Sequence, residues 1–247
     1  MHAPLTVTLS LAVVCALSAP ATAAEVAGEF VFSGHTWIKK DSAGRAIGPG
    51  PNRFSSADSN VWVDEDGRLH LRITQGPNGW HCAEVFLKTP LGYGTYTIET
   101  ASPLESLDPN AVFGFFTWSN KAAFNHQELD IEFSRWGHVD DPLNAQFAVP
   151  PTPPRGPHGN VFRWKHSDAA DHVGVYEIKW GPGQAHFSAT PAGGPTVKWE
   201  YPNAAGVPPA LDAVIDLNLW LFRSTAPLTQ QPVEVIINKF SFQPAGH

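Results

Sequence analysis

The chain has 247 residues, a net charge of −7 and only 16% charged residues, against 11% aromatic residues that include nine Trp. The negative balance argues against nucleic acid and anionic lipid as partners, since both present negative charge themselves. Beyond the N-terminal segment no apolar stretch is long enough to cross a bilayer, and the two cysteines, Cys15 and Cys82, give no internal disulfide once the first is removed.

The first two dozen residues contain no Lys, Arg, Asp or Glu. Residues 5–16 are apolar, and Ala21-Thr22-Ala23 is a small-x-small pattern. This reads as a secretory signal cut near Ala23 or Ala24. An uncleaved anchor is the alternative, for which the run is short. The predicted organisation is a signal peptide at 1–24 and a single domain at 25–247, secreted to the cell exterior or the periplasm. The remainder is long enough to bury a core without crosslinks.

Twenty-one Gly and 23 Pro punctuate short alternating runs, and few stretches keep a helical period beyond two turns. Strands are predicted at 29–33, 60–63, 68–73, 82–88, 94–100, 112–119, 128–134, 144–149, 173–180, 185–189, 197–201, 213–222 and 232–242. Asp64-Glu65-Asp66-Gly67 reads as a hairpin turn into the cleanly alternating Arg68-Leu-His-Leu-Arg-Ile73. It is too short for a calcium loop. Many short strands with no repeat predict an all-β fold, a two-sheet antiparallel jelly-roll sandwich of concanavalin A type with a concave cleft, over a barrel. The Pro-rich residues 150–159 read as a stiff surface loop that could rim a site.

The most informative segment is Gln127-Glu-Leu-Asp-Ile-Glu-Phe133-Ser134. In a strand, Glu128, Asp130 and Glu132 share one face, and Leu129, Ile131 and Phe133 the other. Like charges on one strand face repel, so the pattern lowers stability unless the acids have a task. Two carboxylates flanking one bond are the equipment of glycoside hydrolysis. A middle acid is expected to push the two glutamate pKa values apart. A metal site and a solvated edge are the competing readings of such a face.

These residues carry a resemblance. Glu128-Leu-Asp-Ile-Glu132 resembles the unbulged E-x-D-x-E signature of family-16 glycoside hydrolases, the form seen in lichenases and in xyloglucan and chitin–glucan transglycosylases. Gly92-Tyr-Gly-Thr-Tyr96, with Glu84 before it, Val112-Phe-Gly-Phe-Phe-Thr-Trp118, Ala145-Gln-Phe147, Tyr176-Glu-Ile-Lys-Trp180-Gly-Pro-Gly183 and Asn218-Leu-Trp220 resemble further family segments in the family's order. The resemblance implies a concave jelly roll with retaining chemistry on a β-linked polysaccharide. It assigns Glu128 as nucleophile, Glu132 as general acid/base and Asp130 as the group that sets protonation at Glu128. The chain departs where lichenases carry Trp, here His126, and Arg, here Phe86, positions that touch substrate in the family, so the resemblance does not fix lichenan as the substrate. The family often holds a structural calcium, which the sequence does not place, and no cofactor is required.

For substrate binding, Trp118, Trp136 and Trp220 are candidates to stack sugar rings, with core packing as the alternative for each. His126 and Gln127 flank the acids. Gln146 and Asn218 are polar residues in apolar strands that need partners when buried. Glu84 is a candidate contact to a donor-side sugar, or a surface charge. Eleven His form no H-E-x-x-H pattern, and His166-Ser167-Asp168 lacks a nucleophile elbow. The expected function is a secreted, monomeric, retaining endo-β-glycanase acting on a β-glucan-type polysaccharide. A non-catalytic glycan-binding jelly roll and a transglycosylase using the same site are the alternatives.

Overall fold

The computed structural model describes residues 26–121, 123, 128–150, 160–169 and 171–246. The signal segment, His126, Gln127 and residues 151–159 of the Pro-rich loop lie outside the described residues.

Among the described residues sixteen strands form in chain order: β1 (Val26–Phe32), β2 (His35–Lys40), β3 (Arg53–Phe54), β4 (Val61–Val63), β5 (Leu69–Gly76), β6 (Gly79–Leu87), β7 (Gly94–Ala101), β8 (Ala111–Trp118), β9 (Asp130–Phe133), β10 (Ala145–Ala148), β11 (Val161–Trp164), β12 (Val173–Gly181), β13 (Gln184–Pro191), β14 (Val197–Glu200), β15 (Val214–Leu221) and β16 (Val233–Pro244). Every expected strand is present, with ends moved by a few residues. The strand expected at 128–134 is the shorter β9, and Glu128 stands just before it. β2, β3 and β11 were not expected.

Pairing makes two layers. The front layer runs β11-β10-β9-β8-β15-β6-β2-β1, and the back layer runs β4-β5-β16-β7-β12-β13-β14. The hairpin between β5 and β6 joins them, and β3 lies parallel to the first part of β6. All other pairs are antiparallel, which gives the two-sheet jelly-roll sandwich. β1 turns into β2 through Ser33 at φ 50° and Gly34 at φ 77°. Two positive φ values in a two-residue loop match the twist of a hairpin.

Period-two alternation sets what lies between the layers. β7 alternates buried and half-buried along its whole length, as a strand with one wet face should. The core is closed by rings from opposite layers. Phe133 of β9 meets Tyr176 of β12 at 4.8 Å, Phe147 of β10 meets Phe187 of β13 at 5.4 Å, and Trp37 of β2 meets Phe240 of β16 at 5.1 Å. Cys82 is buried and free, and burial pushes its thiol up to about 12. Among the described strands only β8 and β15, at the centre of the front layer, are buried on both faces for nearly their full length. Their outer face is therefore covered ground, and the acids stand beside it.

Candidate active site

β9 sits between β8 and β10, and its alternation is resolved as the sequence predicts. Leu129, Ile131 and Phe133 are fully buried in the core, so Glu128, Asp130 and Glu132 project from the outer face. Asp130 is buried, and the two glutamates are half-buried.

Register carries this face across the layer in rows. One row reads Arg163–Gln146–Glu132–Gly114–Asn218–Glu84 over β11, β10, β9, β8, β15 and β6. The next reads Ala148–Asp130–Phe116–Asp216–Phe86. Gln146 donates from Nε2 to Glu132 Oε2 at 2.7 Å. At Gly114 the strand has no side chain, and a Cβ there would lie 2.5 Å from Asn218 Oδ1. The glycine thus leaves the space in which the Asn218 amide lies beside Glu132. Asn218 is buried and hydrogen-bonds Glu84. Glu84 is also buried, rather than a surface charge. Its Oε1 accepts from Lys40 Nζ at 2.7 Å, and Lys40 also donates to the Gly48 carbonyl at 2.9 Å and lies 4.4 Å from the Phe54 ring centre.

Sequence reasoning missed Lys40, Gly114 and Asp216 on this face. Asp216 had a signal: it precedes Asn218 by two in an apolar strand, so it must share that residue's face. Lys40 lay in a strand that was not expected.

The aromatic candidates fall at opposite ends of the face. Trp118, half-buried, closes β8 on the Glu128 side and donates from Nε1 to Asn120 Oδ1 at 3.0 Å. Trp220, mostly buried, pairs with Val112 at the other end. Trp136 follows β9 and packs edge-on against both Trp220, at 6.1 Å between ring centres, and Phe222, at 5.5 Å. Beyond Gln146, a cavity of about 670 Å³ is lined by Gly137, His138, Val139, Asp140, Asp141 and Arg163. His166 and Asp168 belong elsewhere: His166 Nε2 lies 3.1 Å from Asp168 Oδ1, Asp168 accepts from the Glu105 N–H of the turn at Leu104–Ser106, and the His166 carbonyl accepts from Asn144 Nδ2.

The electrostatics follow from burial and crowding. Burial, reinforced by the charge of Glu132, pushes Glu128 up to about 7, while a hydrogen bond with Asp130 pulls it down. Burial also pushes Glu132 up to about 7, against the Gln146 hydrogen bond. Burial first, then the charges of Glu128 and Glu132, hold Asp130 well above the usual carboxylate range. Glu84 and Asp216 are raised by burial as well, with Lys40 opposing. Both glutamates are thus raised, with burial the first cause at each. Burial raises Asp130 as well, so desolvation acts on all three acids alike. What the trio has near pH 7 is one proton shared between two glutamates. Asp130 donates to Glu128 and so favours the charge there; Gln146 competes for it at Glu132.

Chemically, such a face can offer a carboxylate and a proton donor from its two glutamates, both titrating near neutral pH. No group of three His, Cys, Asp or Glu among the described residues is arranged to hold a metal ion.

No family model matches the chain, and no curated protein matches it. Solved structures do. A Bacillus licheniformis β-glucanase superposes with a TM-score of 0.63 at 20% identity, over 90% of this chain and 100% of the other. The chain has a β-glucanase fold. A non-specific endo-β-1,3(4)-glucanase from glycoside hydrolase family 16 gives a TM-score of 0.61 at 11% identity, over 83% of each chain. A Mycobacterium tuberculosis antigen described as a pseudo β-1,3-glucanase gives 0.57 at 16% identity, over 79% of this chain and 82% of the other. At such identities the likeness is one of fold, and function must be argued from the site.

Proposed function

We propose that the chain is a secreted family-16-type glycoside hydrolase that cuts internal bonds of a β-linked polysaccharide, of β-glucan type, by double displacement with retention. Glu128 attacks the anomeric carbon as Glu132 protonates the leaving oxygen. Glu132 then takes a proton from water, which hydrolyses the glycosyl-enzyme. Asp130 donates to Glu128 and holds its charge in place until attack.

The observation that supports this reading best is the acid face of β9. Two glutamates with pKa values raised to about 7 stand on either side of a buried Asp130 that is raised as well. Raised acids on a solvent-side face are a feature of sites that move protons, not of a sheet selected for stability alone. The pseudo-glucanase likeness favours a second reading, a binding module that keeps the fold without the reaction. The complete trio favours the enzyme, because glycan binding alone requires no shared proton.

The test is incubation with a panel of defined polysaccharides, followed by mass spectrometry. Shorter oligosaccharides are expected from at least one β-linked polymer. Products longer than the substrate added would identify transfer to sugar rather than water. No change in any polymer at pH 5 to 8 would move the reading to the binding module. Proton NMR of the first product is expected to show the β anomer; the α anomer would exclude retention.

A further inference from the structure

Residues i and i+4 of a flat strand have Cα atoms about 13 Å apart. Retaining chemistry needs two carboxyl groups about 5–5.5 Å apart, so Glu128 and Glu132 must lean together and the strand must help them. β9 departs from flat strand geometry at its start. In an antiparallel ladder, the two residues of a hydrogen-bonded pair exchange both of their N–H···O bonds. β8 and β9 keep register from Phe113↔Phe133 to Phe116↔Asp130. At the next position the exchange is altered. Thr117 N–H donates to the Leu129 carbonyl at 3.2 Å, but Leu129 N–H donates back to Thr117 Oγ1, at 3.0 Å, in place of the Thr117 carbonyl. β9 accordingly begins at Asp130, with Glu128 outside the ladder.

Leu129 N–H belongs to the same planar peptide as the Glu128 carbonyl, so a hydrogen bond to it fixes the peptide plane that adjoins the Glu128 Cα. Thr117 is well placed to hold that plane. It is fully buried, so water does not compete for the bond. Its backbone is paired on the other side with Ile215 of β15, at the centre of the front layer. Ala111, Phe113 and Phe115, which share its face of β8, are apolar. Valine has nearly the same shape, and a hydroxyl in such surroundings costs stability unless it is used. The two glutamates are close enough for the charge of Glu132 to raise Glu128.

On the reading that this face is a retaining glycosidase site, we propose that Thr117 is the positioning residue of the nucleophile. Its hydroxyl holds the Glu128–Leu129 peptide out of the ladder, which aims the Glu128 carboxylate towards Glu132 at the spacing double displacement requires. Without the hydroxyl, Leu129 N–H is either buried unpaired or turns to the carbonyl of residue 117 and draws Glu128 back into the ladder. Both outcomes move the nucleophile and leave the proton donor and the sugar contacts in place. The loss therefore falls on kcat rather than KM, and falls alike on substrates with good and poor leaving groups.

The test compares Thr117→Val with Thr117→Ser, and with Thr100→Val, which removes the hydroxyl of a fully buried threonine of β7 in the back layer. Steady-state kinetics are run on a polymer that the wild type cleaves and on an activated aryl glycoside of the same sugar, well below the melting temperature of each variant. Thr117→Val is expected to lose kcat by about 10- to 100-fold on both substrates, the scale of a misplaced reacting group, with KM changed by less than about twofold. Thr117→Ser, which keeps the hydroxyl, is expected to restore most of the rate, and Thr100→Val to keep it. Thr117→Cys, whose sulfur is a weak acceptor, is expected to fall between Val and Ser and carries the test if the valine variant does not fold. Wild-type kcat in Thr117→Val overturns the proposal. So does a loss confined to KM, a loss that spares the aryl glycoside, an equal loss in Thr117→Ser, or a Thr117→Cys rate equal to that of Thr117→Ser. If the wild type cleaves no polymer, the glycosidase reading fails and the role of Thr117 with it. If the wild type cleaves and Thr117→Val cleaves as well, only the role of Thr117 fails.

Discussion

Two polar clusters lie on the outer faces of the two layers, and they are built on opposite terms. On the back layer, His70 of β5 has its ring nitrogens 3.0 Å from Asp64 Oδ2 and 3.0 Å from Glu234 Oε1. Trp62 stacks on it at 4.3 Å, and Arg68 pairs with Asp64 at 2.8 Å. Each carboxylate there has a basic partner, and hydrogen bonds from His70 and Arg68 hold the Asp64 carboxyl far below the usual range. On the front layer, Asp130, Glu132 and Asp216 have no basic side chain bonded to them among the described residues, and all are raised. The back cluster reads as structure; the front one is an arrangement that folding alone would select against. Stability and chemistry are thus assigned to different faces of one sandwich.

The largest way to sharpen that contrast is at Glu132. Glu132→Gln is expected to slow polymer cleavage by about 10²- to 10⁴-fold, the usual worth of a general acid, with a smaller loss on an activated aryl glycoside. Steady-state kinetics on both substrates check it. Equal losses on the two would remove Glu132 from proton donation. With Glu132→Ala, added azide is expected to give a β-glycosyl azide, because it enters from the side where water would have been directed.

Asp130→Asn is expected to sit between the glutamate variants and the wild type, with a loss of about 10- to 100-fold if its contribution is one charge-assisted hydrogen bond. Its pH–rate profile is expected to shift, because the amide cannot follow the proton shared by Glu128 and Glu132. A reduced rate with an unmoved profile would make Asp130 merely a packing group.

The pH dependence of stability separates the clusters by sign. Glu132 has a folded pKa near 7 against 4.5 when free. Its folded state holds the proton more tightly, so its contribution is full below about pH 4.5 and is lost as pH rises through 7. A shift of that size is worth at most about 3 kcal/mol. Glu132→Gln should therefore raise the melting temperature at pH 8 by several degrees and leave it unchanged at pH 4. Asp64, whose folded pKa is lowered, stabilises above the unfolded value near 4 and loses that support as pH falls. Asp64→Asn is expected to cost stability at pH 7, to narrow its difference from the wild type as pH falls below 4, and to leave cleavage untouched. Thermal scans from pH 3 to 8 read both signs; the same sign for both variants would collapse the distinction.

Much of this was legible in the chain. The period-two pattern at 128–133 alone places three acids on one face and three apolar residues in the core, and it does so because strand geometry is local. The Gly- and Pro-punctuated alternation gave the sandwich for the same reason. What was not legible depends on register between distant strands. Gly114 matters only because it pairs with Glu132 on one side and Asn218 on the other. Lys40 reaches Glu84 only because β2 pairs with β6, and β2 itself was hidden because His35-Thr-Trp-Ile-Lys-Lys40 mixes polar and apolar residues without a clean period. The Ser33-Gly34 turn was the available clue. β11 is four residues long at the edge of its layer and follows the Pro-rich loop, so composition gave it no boundary. The raised acids of the trio were not legible, because they follow from burial that only the packed sheet supplies.

The most direct measurement is on Glu128→Gln, read for cleavage and stability in the same preparation. If the acid face of β9 is kept for catalysis at a cost to folding, the variant loses cleavage of a verified substrate by about 10³-fold or more, as expected for a lost nucleophile, while its melting temperature at pH 8 rises above that of the wild type. Wild-type cleavage by Glu128→Gln, or a variant that is inactive only because it melts lower, would contradict the account.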